Sequence, residues 1–327
     1  MIIMFEFTRR ELDKISDKSE FNRDNLEKVI RLIDVLTNIT KENVFKKLVL
    51  KGGTALQLSY FNFKRLSVDI DFDYNSNEDK NDVLIARNLI KNTLIKQMQV
   101  IGYSLSNNSK FTYSLDSFIF NYTNLAGNND NLKIEINYTN RVHVFDPEIK
   151  EFKSDILGNV KFLTLSKLEL FSTKINALLT RTVPRDVYDY YLIITKGAIN
   201  ADESSLLKKL ILFYLSISTT KNSFSTLIDN FKSKLNNLNY YKIKKTLIPV
   251  LSKNHNFNID VAKKHIIESL DKLLILSENE EEYFTLSRKG IFNFDLLLMI
   301  KFQIVFHYIL ECYGLKRVLK TINCSTL

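Results

Sequence analysis

The stretch Val68-Asp69-Ile70-Asp71-Phe72-Asp73-Tyr74 alternates apolar and acidic residues without a break. A period of two is that of a β-strand, so Val68, Ile70 and Phe72 are expected on a buried face and the three aspartates on the other. Asp69 and Asp71 then stand roughly 7 Å apart along the strand. Like charges on one strand face repel, and folded proteins keep such clusters mainly where a cation balances them. Both carboxylates can reach one or two hard divalent ions, and magnesium prefers such oxygen ligands. Seen alone, the pattern suits an exposed strand with acidic edge residues equally well.

Just upstream, the apolar run Leu48-Val49-Leu50 enters Lys51-Gly52-Gly53-Thr54, and Ala55 to Tyr60 returns to helical composition. This reads as strand, tight glycine turn and helix. Such a turn presents backbone amides at a helix N-terminus, where phosphate groups bind, and Thr54 adds a hydroxyl. Gly-Gly-Thr by itself is more often an ordinary turn; what makes it informative is the acidic strand that follows. A third element, Leu132-Lys133-Ile134-Glu135-Ile136-Asn137-Tyr138, sets Glu135 between β-branched neighbours. Glu135 could complete a three-carboxylate metal site from a neighbouring strand, or simply pair with Lys133 across the strand surface.

Around these elements, the first fifty residues read as helices, with Leu26, Val29, Ile30, Ile33 and Leu36 at helical spacing and Asn22 or Asp24 as N-cap. Asn81 to Met98 reads as a helix. Tyr103 to Leu105, Lys110 to Tyr113, Ser117 to Tyr122 and Leu132 to Tyr138 read as strands of a mixed sheet with antiparallel members. From Ser166 onward the pattern is almost wholly helical, including Ser166 to Leu179, Asp186 to Thr195 and Ser204 to Ile217. The acidic run Glu278 to Glu282 reads as a solvated helix face. The expected fold class is α+β: a mixed-sheet lobe over residues 1–155 and a mainly α-helical lobe over residues 156–327.

The net charge of +9 divides unevenly along the chain. Residues 1–155 carry 22 Lys and Arg against 22 Asp and Glu, and residues 156–327 carry 24 against 15, so the excess lies wholly in the second part. A basic lobe is the electrostatic footprint of a polyanion partner, although a composition rich in Lys, Asn and Ile also follows from AT-rich coding. With 3 Pro and 8 Gly in 327 residues, extensive regular structure is expected. No stretch reads as a signal peptide or membrane span; Leu296 to Leu310 is interrupted by Lys301, Gln303 and His307 and suits a buried amphipathic helix. Cys312 and Cys324 form neither a disulfide framework nor a zinc pattern, and His143, His255, His265 and His307 show no metal or nucleophile spacing. A cytoplasmic protein without a membrane partner is expected.

Four segments taken together resemble one family. Lys51-Gly52-Gly53-Thr54-Ala55-Leu56, then Arg65 to Asp73, then Lys167 to Arg181, then Arg185-Asp186-Val187-Tyr188-Asp189 are similar, in this order, to the bacterial AbiEii/AbiGii toxin family of nucleotidyltransferases, within the DNA polymerase β-like superfamily. The matching motifs run from about residue 48 to 195, with a gap between glycine loop and aspartate pair slightly longer than the superfamily's common range. The resemblance implies that Asp69 and Asp71 hold Mg2+, with Mn2+ as a substitute; whether Glu135 joins them as a third metal carboxylate stays open. It implies that Gly52, Gly53, Thr54, Arg65 and Ser67 bind the nucleotide. Lys174 would neutralise the triphosphate, and Asp186 or Asp189 would complete the site. It further implies an NTP substrate, an RNA acceptor such as the tRNA 3′ end, a separately encoded antitoxin and a role in a toxin–antitoxin or phage-defence system.

Independently of the family, Lys174, Leu178 and Arg181 fall near one helix face, Thr182-Val183-Pro184 breaks the helix, and Arg185-Asp186 restarts it with an acid in its first turn. A structural salt-bridge knot fits these residues, and so does a partner for a triphosphate. A protein-nucleotidylating (AMPylating-type) enzyme using the same metal site, and a non-catalytic RNA-binding module, are the competing readings.

Overall fold

A computed structural model describes residues 7–155, 157–217, 222–298, 302 and 305. In chain order the elements are α1 Arg9–Ser19, α2 Arg23–Lys41, β1 Leu48–Lys51, α3 Gly52–Leu56, β2 Asp69–Tyr74, α4 Lys80–Val100, β3 Ser104–Leu105, β4 Lys110–Phe111, β5 Leu115–Thr123, β6 Asn129–Asn137, β7 Glu148–Ser154 and β8 Gly158–Thr164. They continue as α5 Lys167–Arg181, α6 Pro184–Thr195, α7 Ala201–Ser216, α8 Phe224–Asn236, α9 Tyr240–Thr246, α10 Ile259–Leu273 and α11 Glu278–Arg288. The chain divides into two compact units, one reaching to Ser166 and including Ile248–His255, the other comprising Lys167–Leu247 and the residues from Asn256 onward.

The first unit is built on a mixed sheet. Its described strands run in the order β3-β5-β6-β2-β1-β8-β7, with β4 also paired to β5. β2 is central, antiparallel to β1 and parallel to β6. Ile70, Phe72 and Tyr74 from β2 share a face with Ile134 and Ile136 of β6 and with Phe118 and Phe120 of β5, and all are buried. Helix α4 covers that face: its Arg87 Nε donates to the buried Asp116 Oδ2 of β5 at 3.0 Å, and its Leu94 and Met98 meet Val35 and Ile39 of α2. The short segment Ile248–His255 joins this unit through backbone bonds, Leu66 N to Val250 O at 2.7 Å and Lys253 N to Glu20 O at 2.8 Å.

The elements expected around the acidic strand form close to their expected bounds, and Asn22 is the N-cap of α2. The hairpin β7–β8 has no counterpart in the sequence reading. Charges mask the period of β7, Glu148-Ile149-Lys150-Glu151-Phe152-Lys153-Ser154, and β8, Gly158 to Thr164, opens on Gly-Asn.

The second unit is helical. Leu170, Ile175 and Leu178 of α5, Tyr188 and Ile193 of α6, and Leu210 and Phe213 of α7 are all buried. In α11, Glu280 departs from the solvated acidic face expected there. It is buried, closes a capping box with Ser277 and pairs with Lys208 at 2.7 Å. The segment Leu296 to Leu310 lies largely outside the described residues, as do His307, Cys312 and Cys324; within it Leu297, Phe302 and Val305 are buried.

Candidate active site

Gly52 and Gly53 open α3 directly at the end of β1, and no side chain caps the helix N-terminus. Both positions require glycine, for different reasons. Gly52 has φ +73°, the left-handed region, and a Cβ there would collide with the Asp71 carboxylate. A Cβ at Gly53 would fall 2.7 Å from Ser67 Oγ and 2.8 Å from the Arg65 guanidinium. The loop therefore meets the aspartate strand on one side and a buried arginine with a serine hydroxyl on the other. Thr54 is wholly buried, and its hydroxyl donates to the Asp69 carbonyl, tying the loop to β2. Arg65 is also buried; its backbone N–H donates to Gln57 Oε1 and its guanidinium donates to the Leu66 carbonyl at 2.9 Å.

The three aspartates of β2 do not share one environment. Asp73 is buried and its carboxylate accepts from Lys51 Nζ, so its charge is balanced inside the sheet. Asp69 and Asp71 remain partly exposed on the same face. Their register partners on β6 are Lys133 and Glu135 respectively, and in a parallel pair such partners point to the same side. Lys133 Nζ donates to Glu135 Oε1 at 2.8 Å. Partial burial acts to lower the Lys133 pKa, but the hydrogen bond to Glu135 and the charges of Glu135, Asp69 and Asp71 outweigh it and raise the pKa above the usual lysine value. A lysine thus stands among the three carboxylates. Among the described residues, no three His, Cys, Asp or Glu side chains are gathered as a metal cluster.

In the helical unit, Lys174 Nζ of α5 donates to Asp189 Oδ2 of α6 at 2.9 Å, with both side chains almost fully buried. Arg181, at the end of α5, grips Asp186 in bidentate fashion, Nε to Oδ2 at 2.6 Å and an Nη to Oδ1 at 2.8 Å. Between the two helices Thr182 takes a left-handed conformation with φ +50°, its hydroxyl donating to the Leu178 carbonyl, and Pro184 starts α6 at a position that tolerates the loss of an N–H. Lys174, Asp189, Arg181 and Asp186 form two acid–base pairs across one helix junction.

Comparison with known proteins identifies the family. The family model described as "Nucleotidyl transferase AbiEii toxin, Type IV TA system" matches residues 34–273. The chain belongs to the AbiEii family. The AbiEii match spans the glycine loop, the aspartate strand, Glu135 and the α5–α6 junction. Among solved structures, MenT4, a nucleotidyltransferase toxin from Mycobacterium tuberculosis H37Rv, is similar with a TM-score of 0.65 and 13% identity, covering 94% of this chain and 99% of that one. At that identity the likeness concerns the fold, which is an α+β nucleotidyltransferase-toxin fold. No curated protein matches the sequence.

As an AbiEii member the chain is an enzyme, an NTP-dependent nucleotidyltransferase toxin of a type IV toxin–antitoxin system. Sequence reasoning found the loop, the aspartates and the α5–α6 acids and bases. It missed that Lys51 neutralises Asp73 and that Lys133 stands beside Asp69. Neither was visible locally, because both depend on which strands pair with β2 and in which register. Among the described residues no helix is long and apolar enough to cross a membrane.

Proposed function

We propose that this toxin transfers a nucleoside monophosphate from an NTP to an RNA acceptor, the 3′ end of tRNA, with Mg2+ held by Asp69 and Asp71. The observation that carries the reading is the abutment of Gly52 on the Asp71 carboxylate. It sets an amide-rich turn, Ser67 and Arg65 beside two partly exposed carboxylates, as a metal–triphosphate complex requires.

The residues fit a hard divalent ion. Two carboxylates on one strand face offer oxygen donors only, and glycine occupies the place where any Cβ would overlap Asp71. Asp69 and Asp71 would hold the ion, with Glu135 as the third carboxylate. When bound, the ion supplies charge neutralisation and Lewis-acid polarisation at the phosphates. The loop amides, Ser67 and Arg65 hold the phosphate oxygens, and Thr54 fixes the loop to the strand. The acceptor hydroxyl then attacks the α-phosphorus, a new P–O bond forms, the bond to the β-phosphate breaks, and pyrophosphate leaves. No covalent enzyme intermediate is needed, since positioning and charge stabilisation supply the catalysis. The motif match carries Lys174, Asp186 and Asp189 into the same reaction. The basic excess beyond residue 155 supports a polyanionic acceptor, and the toxin class supports a separately encoded antitoxin and a role in phage defence.

The test is incubation of the purified protein with each labelled NTP and Mg2+, together with total tRNA or a protein lysate. Label on tRNA is expected. Label on protein alone would move the acceptor to a protein hydroxyl, and unchanged transfer by Asp71→Asn would overturn the metal assignment.

A further inference from the structure

Between Asp229 and Asp260 the chain runs for thirty residues, 230–259, with six lysines and neither aspartate nor glutamate. Elsewhere in the helical unit lysines are answered by acids, as Lys174 is by Asp189 and Lys208 by Glu280, and within the stretch Lys232 pairs with Asp271 of α10. Within the acid-free stretch lies α9, about two amphipathic turns. Ile243 and the following Leu247 are buried beneath it, Asn239 caps it by accepting from Lys242 N at 3.0 Å, and Arg185 Nε of α6 donates to the Thr246 carbonyl at its far end. The helix is therefore firmly seated.

Its outer face carries an unusual set of side chains. Tyr240 and Tyr241 are 68% and 71% exposed, and Lys242, Lys244 and Lys245 are exposed. Among the described residues none of these five side chains makes a hydrogen bond, ion pair or ring contact. On a helix, residues four apart are neighbours, so Lys244 stands one turn beyond Tyr240 and Lys245 one turn beyond Tyr241. Each exposed ring is thus followed by an ammonium about 6 Å along the axis. Beside them Lys263 Nζ donates to the Asn236 and Leu238 carbonyls and stands 4.0 Å from Asp260 Oδ1. A solvated helix face needs lysines but has no use for two large rings held in water. Flat rings interleaved with unpaired ammonium groups match single-stranded nucleic acid, whose bases stack on aromatics while its phosphates meet lysines.

We propose that the α9 surface binds single-stranded RNA, with bases stacked on Tyr240 and Tyr241 and phosphates paired with Lys242, Lys244 and Lys245. The choice of RNA as the nucleic acid rests on the proposed RNA acceptor; the surface chemistry does not. An anionic lipid surface is the other partner that rings and lysines could meet, and the test separates it.

The experiment is fluorescence anisotropy of a mixed-sequence RNA of about 12 nucleotides with the full-length protein, at several salt concentrations. Tyr240→Ala/Tyr241→Ala weakens binding by about tenfold or more, since stacking contributes roughly 1–3 kcal/mol per base. Tyr240→Phe/Tyr241→Phe retains it. Lys242→Gln/Lys244→Gln/Lys245→Gln lowers the slope of log affinity against log salt by about 2, at about 0.7 per phosphate contact. Circular dichroism confirms that each variant is folded. Wild-type affinity and slope in both the alanine and the glutamine variants overturn the proposal. So does binding of wild type to phosphatidylglycerol vesicles but not to the RNA. Asp71→Asn separates this surface from the reaction, because it should abolish nucleotide transfer and leave RNA binding intact. If wild type labels tRNA while the α9 variants bind normally, the surface fails and the acceptor stands. If the variants lose RNA binding while wild type labels no RNA, the acceptor fails and the surface stands.

Discussion

Lys133 Nζ lies 2.8 Å from Glu135 Oε1, two residues along β6, and the β2–β6 register sets Lys133 beside Asp69 and Glu135 beside Asp71. The acidic face is therefore partly neutralised by a residue of its own sheet. Lys133 thereby offsets part of the repulsion among Asp69, Asp71 and Glu135 on that surface.

The same relationship sets the free metal affinity of the face. A lysine held charged by three carboxylates competes with any divalent ion for them. Lys133→Met should tighten binding of Mn2+ in the absence of nucleotide by about tenfold, equivalent to about 1.4 kcal/mol. Electron paramagnetic resonance of free Mn2+ measures this directly. Unchanged or weaker binding would mean that Lys133 does not compete at the site.

Asp71 and Asp73 should separate cleanly on substitution. Asp73 is buried against Lys51, so Asp73→Asn leaves a partly buried lysine without its anion and costs about 2–4 kcal/mol in urea unfolding. Transfer by the folded fraction should stay within a few-fold of wild type. Asp71→Asn should leave stability unchanged or slightly higher, because it relieves repulsion on a polar face, yet lower transfer about a hundredfold or more. Equal effects of the two substitutions on transfer would remove the distinction drawn from their burial.

How far the sequence carried these conclusions depends on the range of the physics. The strand Val68 to Tyr74 was legible because its period and its charge pattern are local and agree, and the glycine loop because strand, turn and helix follow one another directly. Pairing across the sheet was not legible. Nothing local shows that β2 runs parallel to β6, yet that register decides which lysine meets which carboxylate. Lys51 illustrates the same limit: the antiparallel register sets it opposite Asp71, yet its ammonium pairs diagonally with Asp73. The hairpin β7–β8 escaped because the edge strand β7 carries charges on both faces. At the α5–α6 junction the residues were visible in sequence, but their partners, Lys174 with Asp189 and Arg181 with Asp186, required the fold.

That junction yields a double-mutant test. Removing one member of a buried pair strands the other, so Lys174→Met should cost about 3–5 kcal/mol. Lys174→Met/Asp189→Leu, which removes both charges, should regain most of that stability. Nucleotide transfer should remain lost in the double variant if Lys174 serves the triphosphate. Recovery of both stability and transfer would make the pair a structural element alone.

Asp34 on α2 supplies a prediction about pH. Burial pushes its carboxyl up to about 6 against an ordinary value of 3.8, with the nearby Arg31 charge opposing the shift. A folded-state value above the unfolded one means that the folded protein binds this proton more tightly. The cost is therefore negligible below the unfolded value, grows as pH rises from about 4 to about 6, and is constant above that. Asp34→Asn removes the ionisation and should stabilise the protein by about 2 kcal/mol at pH 7.5, a figure reduced for partial solvent exposure. At pH 4 the two proteins should unfold at nearly the same urea concentration. A stabilisation of equal size at both pH values would trace the effect to packing and not to the buried charge.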